Sequence, residues 1–119
     1  MTIDFMRGIA VLPPEYTQIG SSVAASFAKE LLNSINTCLE EAPNAPIILH
    51  FAATEFIDSS GLSKILDALR LCHARNTVLA VSAHHSAVTM LFRMVRLRQL
   101  TQVFESLEQA LDTLDPGRS

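Results

Sequence analysis

The chain has 119 residues, 49% of them apolar, and a formal net charge of −3. That length suits one domain with a real core. The weak negative charge argues against a general nucleic-acid binder, which carries a clear basic surplus. No apolar run is long enough to span a bilayer. Residues 8–12 are too short for a signal-peptide core, and Pro13-Pro14 ends that run. The expectation is a cytoplasmic protein with no membrane insertion. It should form a single domain over residues 1–119, with a tail at 115–119 that frays.

Residues 2–6 alternate apolar and polar and read as a first strand. Arg7-Gly8 reads as a tight turn. Residues 9–12 then form the second strand of a hairpin, which must stop at Pro13-Pro14 because proline donates no backbone hydrogen bond. Residues 15–20 read as loop, and Ser21 or Ser22 as the cap of the first helix. Val23, Phe27, Leu31, Ile35 and Leu39 recur every four residues, with Ala24, Leu32 and Cys38 widening the stripe. That helix should end before Pro43.

Residues 47–51 are a continuous apolar run apart from His50. With helices expected on both sides, they read as a central strand of a helix-covered sheet. A second helix is expected from about residue 61 to residue 74, with Asn76 as a left-handed cap. Residues 78–82 read as another buried strand. A third helix starts near His85 or Ser86, with Val88, Leu91, Phe92 and Val95 inward. Arg93, Arg96 and Arg98 fall at and beyond its end, where cations either suit the dipole or form a partner-contact patch. Val103-Phe104 reads as a brief edge strand. Ser106 with Gln109 reads as a capping box opening a last helix, with Leu107, Ala110, Leu111 and Leu114 inward. The fold class is therefore α/β, with a mixed sheet of four to five strands and about four helices. The expected core includes Leu31, Ile35, Ile48, Leu66, Leu69, Leu79, Val81, Leu91 and Phe92.

The two cysteines, Cys38 and Cys72, fall on helices among apolar neighbours and read as small core fillers. There is no CxxC and no cysteine–histidine spacing for a metal, so no metal or other cofactor is expected. His84 and His85 are adjacent, cannot share one face of a helix or strand, and read as a surface turn. The sequence holds no Gly-x-Ser-x-Gly elbow, no phosphate-binding Gly-Lys-Ser/Thr loop and no HExxH. A binding module is expected, with no catalysis of its own.

One stretch organises the chain: Phe56-Ile57-Asp58-Ser59-Ser60-Gly61-Leu62. Leu62, Ile65, Leu66 and Leu69 follow at helical spacing, so residues 58–61 form a strand-to-helix turn. Both Ser59 and Ser60 are candidates for the cap. A helix start presents unpaired N–H groups and the positive end of a dipole, which suit a serine oxygen or a phosphate. Gly61 lets the backbone pass close to another surface.

This turn, with residues 78–82, Val88, Leu91-Phe92 and residues 103–111, resembles the STAS domain, in particular the anti-sigma-factor antagonists of bacteria. The resemblance covers about residues 46–114 and extends to the first helix. It implies that Ser59 is the phosphoacceptor and that Asp58, Ser60 and Gly61 shape the partner-binding turn. It implies a partner that is both anti-sigma factor and serine kinase, with the ATP bound by that partner. Unphosphorylated protein would bind the partner and phosphorylated protein would let go. The alternative within the family is an unphosphorylated STAS subunit on a transporter ATPase or a signalling scaffold. The Ser59-Ser60 pair favours the switch, since transporter-associated members often carry Thr-Gly-Gly there. Three positions depart from the family pattern. His50 stands where the strand commonly ends in aspartate. Pro13-Pro14 begins a segment that replaces a glycine-acid-aspartate stretch. Arg96 stands where a glycine often closes the third helix.

Overall fold

The computed structural model describes residues 1–117. Three strands precede the first helix: β1 Asp4–Met6, β2 Ile9–Leu12 and the two-residue β3 Gln18–Ile19. Then follow α1 Ala24–Glu41, β4 Ile47–Phe51, β5 Phe56–Ile57, α2 Ser59–Ala74, β6 Leu79–Ala83 and α3 Ser86–Met94. A 3₁₀ turn, Leu97–Gln99, leads to β7 Val103–Phe104 and α4 Leu107–Leu114.

The main sheet is mixed, as the alternation of strands and helices implies. Its order is β1-β2-β4-β6-β7, with β4 in the centre. Only β1 runs antiparallel, because a two-residue turn joins it to β2. Arg7 (φ 54°) and Gly8 (φ 76°) are both left-handed, which is what the tightest hairpin turn requires. Arg7 Nη1 also donates to Asp112 Oδ1 of α4 at 2.6 Å, fixing the hairpin to the last helix.

Period-2 alternation decides which helix each strand residue meets. Leu12, Leu49 and Val81 point to one face, where Phe27 of α1, Ile65 of α2 and Phe92 of α3 complete the main core. Ile9, Val11 and Ile48 point to the other, where Ala110 and Leu111 of α4 cover them. Strands β2 and β4 are thus apolar on both faces, and the run at residues 47–49 is continuous for that reason.

Several details differ from the sequence expectation. Neither Ser21 nor Ser22 caps α1; the N-cap is Val23, and no side chain bonds the helix start. Leu32 is 48% exposed, one position beyond the buried stripe. Leu66, Leu69 and Leu91 are only partly buried, because Ile65, Ala68 and Phe92 face the core more directly. Val95 lies past the end of α3 and is exposed. Val78 precedes β6 and is also exposed. Residues 15–20, expected as loop, contain β3.

The caps that do hold are specific. Asn76 is left-handed at φ 56° after α2, as expected. Ser106 Oγ accepts from Gln109 N at 3.1 Å, while Gln109 Oε1 accepts from Glu105 N at 3.2 Å, one residue before the cap. Beyond α4, Asp115 Oδ1 accepts from Gly117 N at 2.9 Å. The last two residues of the expected frayed tail, 118 and 119, lie outside the described residues.

Candidate functional site

The serine turn is held from two sides. Its N-cap is Asp58, not a serine. Asp58 is extended (φ −97°, ψ −174°), and its carboxylate turns back over the helix start. Oδ1 accepts from Ser60 N at 2.8 Å and from Gly61 N at 3.1 Å. The Asp58 carbonyl then accepts from Leu62 N at 2.9 Å, the first bond of the helical ladder. Ser59 and Ser60 are therefore the first two residues of α2. Ser59 is exposed and Ser60 half-buried. The local sequence makes either serine a good cap, but Asp58 holds the backbone position that a cap needs.

The second support is the segment expected to be loop. β3 runs parallel to β5, pairing Gln18 with Phe56 and Ile19 with Ile57. Thr17 O accepts from Glu55 N at 2.7 Å, and Ile19 O accepts from Asp58 N at 3.1 Å. Asp58 Oδ2 accepts from Ser21 N at 3.2 Å, so one carboxylate serves backbone donors of both segments. Behind this ladder, the buried Thr54 hydroxyl donates to Tyr16 O at 2.7 Å. Gly61 is buried against Ile19, and no side chain fits between them. Residues 16–21 and 54–61 form one surface.

Tyr16 anchors this surface to α1. Its hydroxyl donates to Glu30 Oε2 at 2.6 Å, and its ring packs edge-on to Phe27. That hydrogen bond to a carboxylate, with burial second, pushes the phenol up to about 12. Tyr16 stays neutral at any physiological pH.

Three departures from the family pattern acquire physical content. His50 is half-buried, and its Nδ1 hydrogen-bonds Ser82 Oγ at 2.7 Å across β4 and β6. Burial, and secondarily the charge of His84, hold its imidazole below the ordinary value. Ser82 is fully buried, so this pair cannot offer a nucleophile to substrate. Pro13 and Pro14 end β2 and lead into the Tyr16 segment, and Pro14 is buried. Arg96 is left-handed (φ 55°, ψ 45°), a conformation that glycine adopts without steric strain.

Other residues singled out by sequence stay outside the site. Cys38 and Cys72 are free and buried, and burial raises both thiols, that of Cys72 to about 11. They are fillers, not reactive groups. His84 and His85 lie in the turn before α3, where His85 Nε2 stands 3.8 Å from Glu55 Oε1. No group of side chains suited to a metal occurs among the described residues. No helix there is long and apolar enough to cross a membrane.

The STAS-domain family model matches residues 17–110. The chain belongs to the STAS family. The matched span opens at Thr17, the residue whose carbonyl begins the β3–β5 ladder, and it includes the serine turn. Several solved structures share the fold. A putative anti-sigma factor antagonist from Thermotoga maritima has a TM-score of 0.78 at 18% identity, covering 95% of this chain and 92% of that one. An anti-sigma factor antagonist from Mycobacterium paratuberculosis gives 0.78 at 16%, covering 95% and 91%. The anti-sigma factor antagonist SpoIIAA in its unphosphorylated form gives 0.64 at 15%, covering 97% of each chain. Comparison with the curated proteins finds no match.

The residues that sequence reasoning missed are Thr17, Ile19 and Ser21. Their only local signal was a lone apolar residue, Ile19, among polar ones, which sets no period.

Proposed function

We propose that this STAS protein is a phospho-switch of the anti-sigma-antagonist kind, with Ser59 as its phosphoacceptor. The observation that carries the reading is the placement of Ser59: exposed, first in α2, and flanked by a carboxylate already committed to the helix start. A kinase needs a reachable hydroxyl on a fixed backbone. The partner supplies the ATP and the catalysis; this chain is substrate and switch. It acts in the cytoplasm as a single domain.

The Asp58 cap explains how such a switch would work. A phosphate at a helix start is ordinarily welcomed by the first N–H groups. Here the Ser60 and Gly61 N–H groups are already held by Asp58 Oδ1. The phosphate therefore projects outward, adding roughly −1.5 to −2 charges beside Asp58 on the partner-facing surface. Phe56, 48% exposed two residues before Asp58, supplies apolar contact there. Phosphorylation expels the partner by like-charge repulsion and desolvation, with little change of fold.

The test is recovery of the protein from its native cell, with partners identified and phosphate mapped by mass spectrometry. Ser59→Ala should bind the partner and stay bound. Ser59→Asp should bind weakly. Phosphate found nowhere, with both variants binding like the unmodified protein, overturns the switch and leaves the transporter-ATPase or scaffold reading.

A further inference from the structure

The end of the molecule away from Ser59 carries a second feature that the switch does not use. Between the C-terminal half of α2 and residues 97–102 runs an open groove with two adjoining lobes of about 480 and 420 Å³. Leu69, Val78 and Leu100 supply its apolar surface, and Val78 and Leu100 are 48% and 65% exposed. Arg70, His73 and Arg98 stand around it. Asp67 is the one carboxylate paired with any of these three among the described residues, through Arg70 at 2.8 Å. Arg75, Arg93 and Arg96, on the adjoining ends of α2 and α3, also have no ion-pair partner there. An acidic protein thus gathers five of its nine basic residues at one end: Arg70, Arg75, Arg93, Arg96 and Arg98.

We propose that this groove is a second docking site, and that its occupant is an acidic protein segment carrying leucine-sized side chains. Charge complementarity selects the sign, because the rim is cationic while the chain as a whole is not. The C-terminal end of α2 is the negative end of its dipole and accounts for a basic residue in its last turn. It does not account for Arg98, which lies across the groove on the 3₁₀ turn. Shape selects a segment over a bilayer. The apolar groups line a concavity, which receives single side chains, whereas a membrane surface is met by apolar groups standing out from a helix face. The hydroxyl of Thr101 donates to Leu79 O, tying the outer wall to β6, so the groove is held by the sheet.

The site is separate from the switch. His73 follows Ser59 by 14 positions along α2, a rise of about 21 Å. One partner at the serine turn and another at the groove can be held together, which makes the protein a connector as well as a switch.

The experiment titrates three synthetic peptides of equal length onto the full chain, followed by amide NMR shifts. One is rich in Glu with Leu at i and i+4, the second has Ser in place of Leu, and the third has Lys in place of Glu. Vesicles of phosphatidylglycerol are titrated in parallel. The acidic leucine peptide should bind tightest, with shifts confined to residues 66–79 and 97–102. Added salt should weaken it. Arg98→Glu should weaken it about tenfold or more. Ser59→Asp should leave it unchanged, so that this test stands or falls apart from the switch. The proposal is overturned if the Lys or the leucine-free peptide binds as well, if no peptide binds, if the shifts fall at the serine turn, or if only vesicles bind.

Discussion

A β-carbon placed on Gly61 would stand 2.5 Å from the carbonyl oxygen of Ile19 and 2.7 Å from its Cγ2. The glycine of the turn is thus required by a neighbour 42 positions earlier, not by its own backbone angles. Its φ is ordinary helix. Ile19 belongs to β3, so the close approach is what lets the β3–β5 ladder lie flat against the start of α2.

Gly61→Ala tests this directly. Alanine favours a helix over glycine by about 1 kcal/mol, which alone would stabilise α2. Overpacking typically costs about 1–3 kcal/mol, and here the obstacle is backbone that cannot swing aside. The clash should win, with a net loss of about 1–2 kcal/mol in urea unfolding. A gain in stability would mean that β3 moves away freely and that the two segments are not one surface.

Asp58→Ala should cost about 0.5–2 kcal/mol, because its carboxylate accepts from the backbone at Ser60, Gly61 and Ser21. Ser59→Ala, at an exposed position, should change stability by less than about 0.5 kcal/mol. Chemical denaturation of the two variants separates the cap from the proposed phosphoacceptor. Equal losses would return the cap to the serine.

The imidazole of His50 is held low in the folded protein, first by burial and then by His84. The unfolded chain therefore binds a proton more readily than the folded one. The stability this group contributes is complete above about pH 6.5 and falls as pH drops through the folded value. His50→Gln should flatten the fall in unfolding midpoint between about pH 7.5 and pH 5. An unchanged slope would place the titration elsewhere.

Arg96 sits in a left-handed conformation that costs an ordinary residue roughly 1–2 kcal/mol. Glycine there would lose about 0.5–1 kcal/mol through extra freedom when unfolded. Arg96→Gly should therefore stabilise the protein by up to about 1 kcal/mol, read as a higher thermal midpoint. A clear loss would mean that the Arg96 side chain makes contacts worth more than its strain.

What was legible in the sequence followed periodicity and punctuation. The stripe of α1, the run of β4, the left-handed Asn76 and the Ser106 cap each announce themselves locally. The misses share one cause: they were settled by residues distant in sequence. Helical spacing cannot say whether Ile65 or Leu66 faces the sheet more squarely, because both lie within one broad stripe. Asp58, Ser59 and Ser60 are comparable caps on paper, and the hydrogen bond from Asp58 N to Ile19 O fixes which residue takes the role. Two-residue strands such as β3 show no period at all. The turn itself was legible as a motif, while the half of its surface built from residues 16–21 was not.

The ladder between β3 and β5 also bears on when the chain can be recognised. Ser21 and Asp58 lie 37 positions apart, with α1 and β4 between them in the chain. A nascent or denatured chain carries the Asp-Ser-Ser-Gly letters but lacks the two-segment surface, because the bonds that join Asp58 to Ile19 and Ser21 need closure of a loop of that length. A partner that reads backbone geometry at this surface is therefore blind to unfinished copies. Under the proposed switch, the signal would then follow the amount of folded protein, not the amount synthesised.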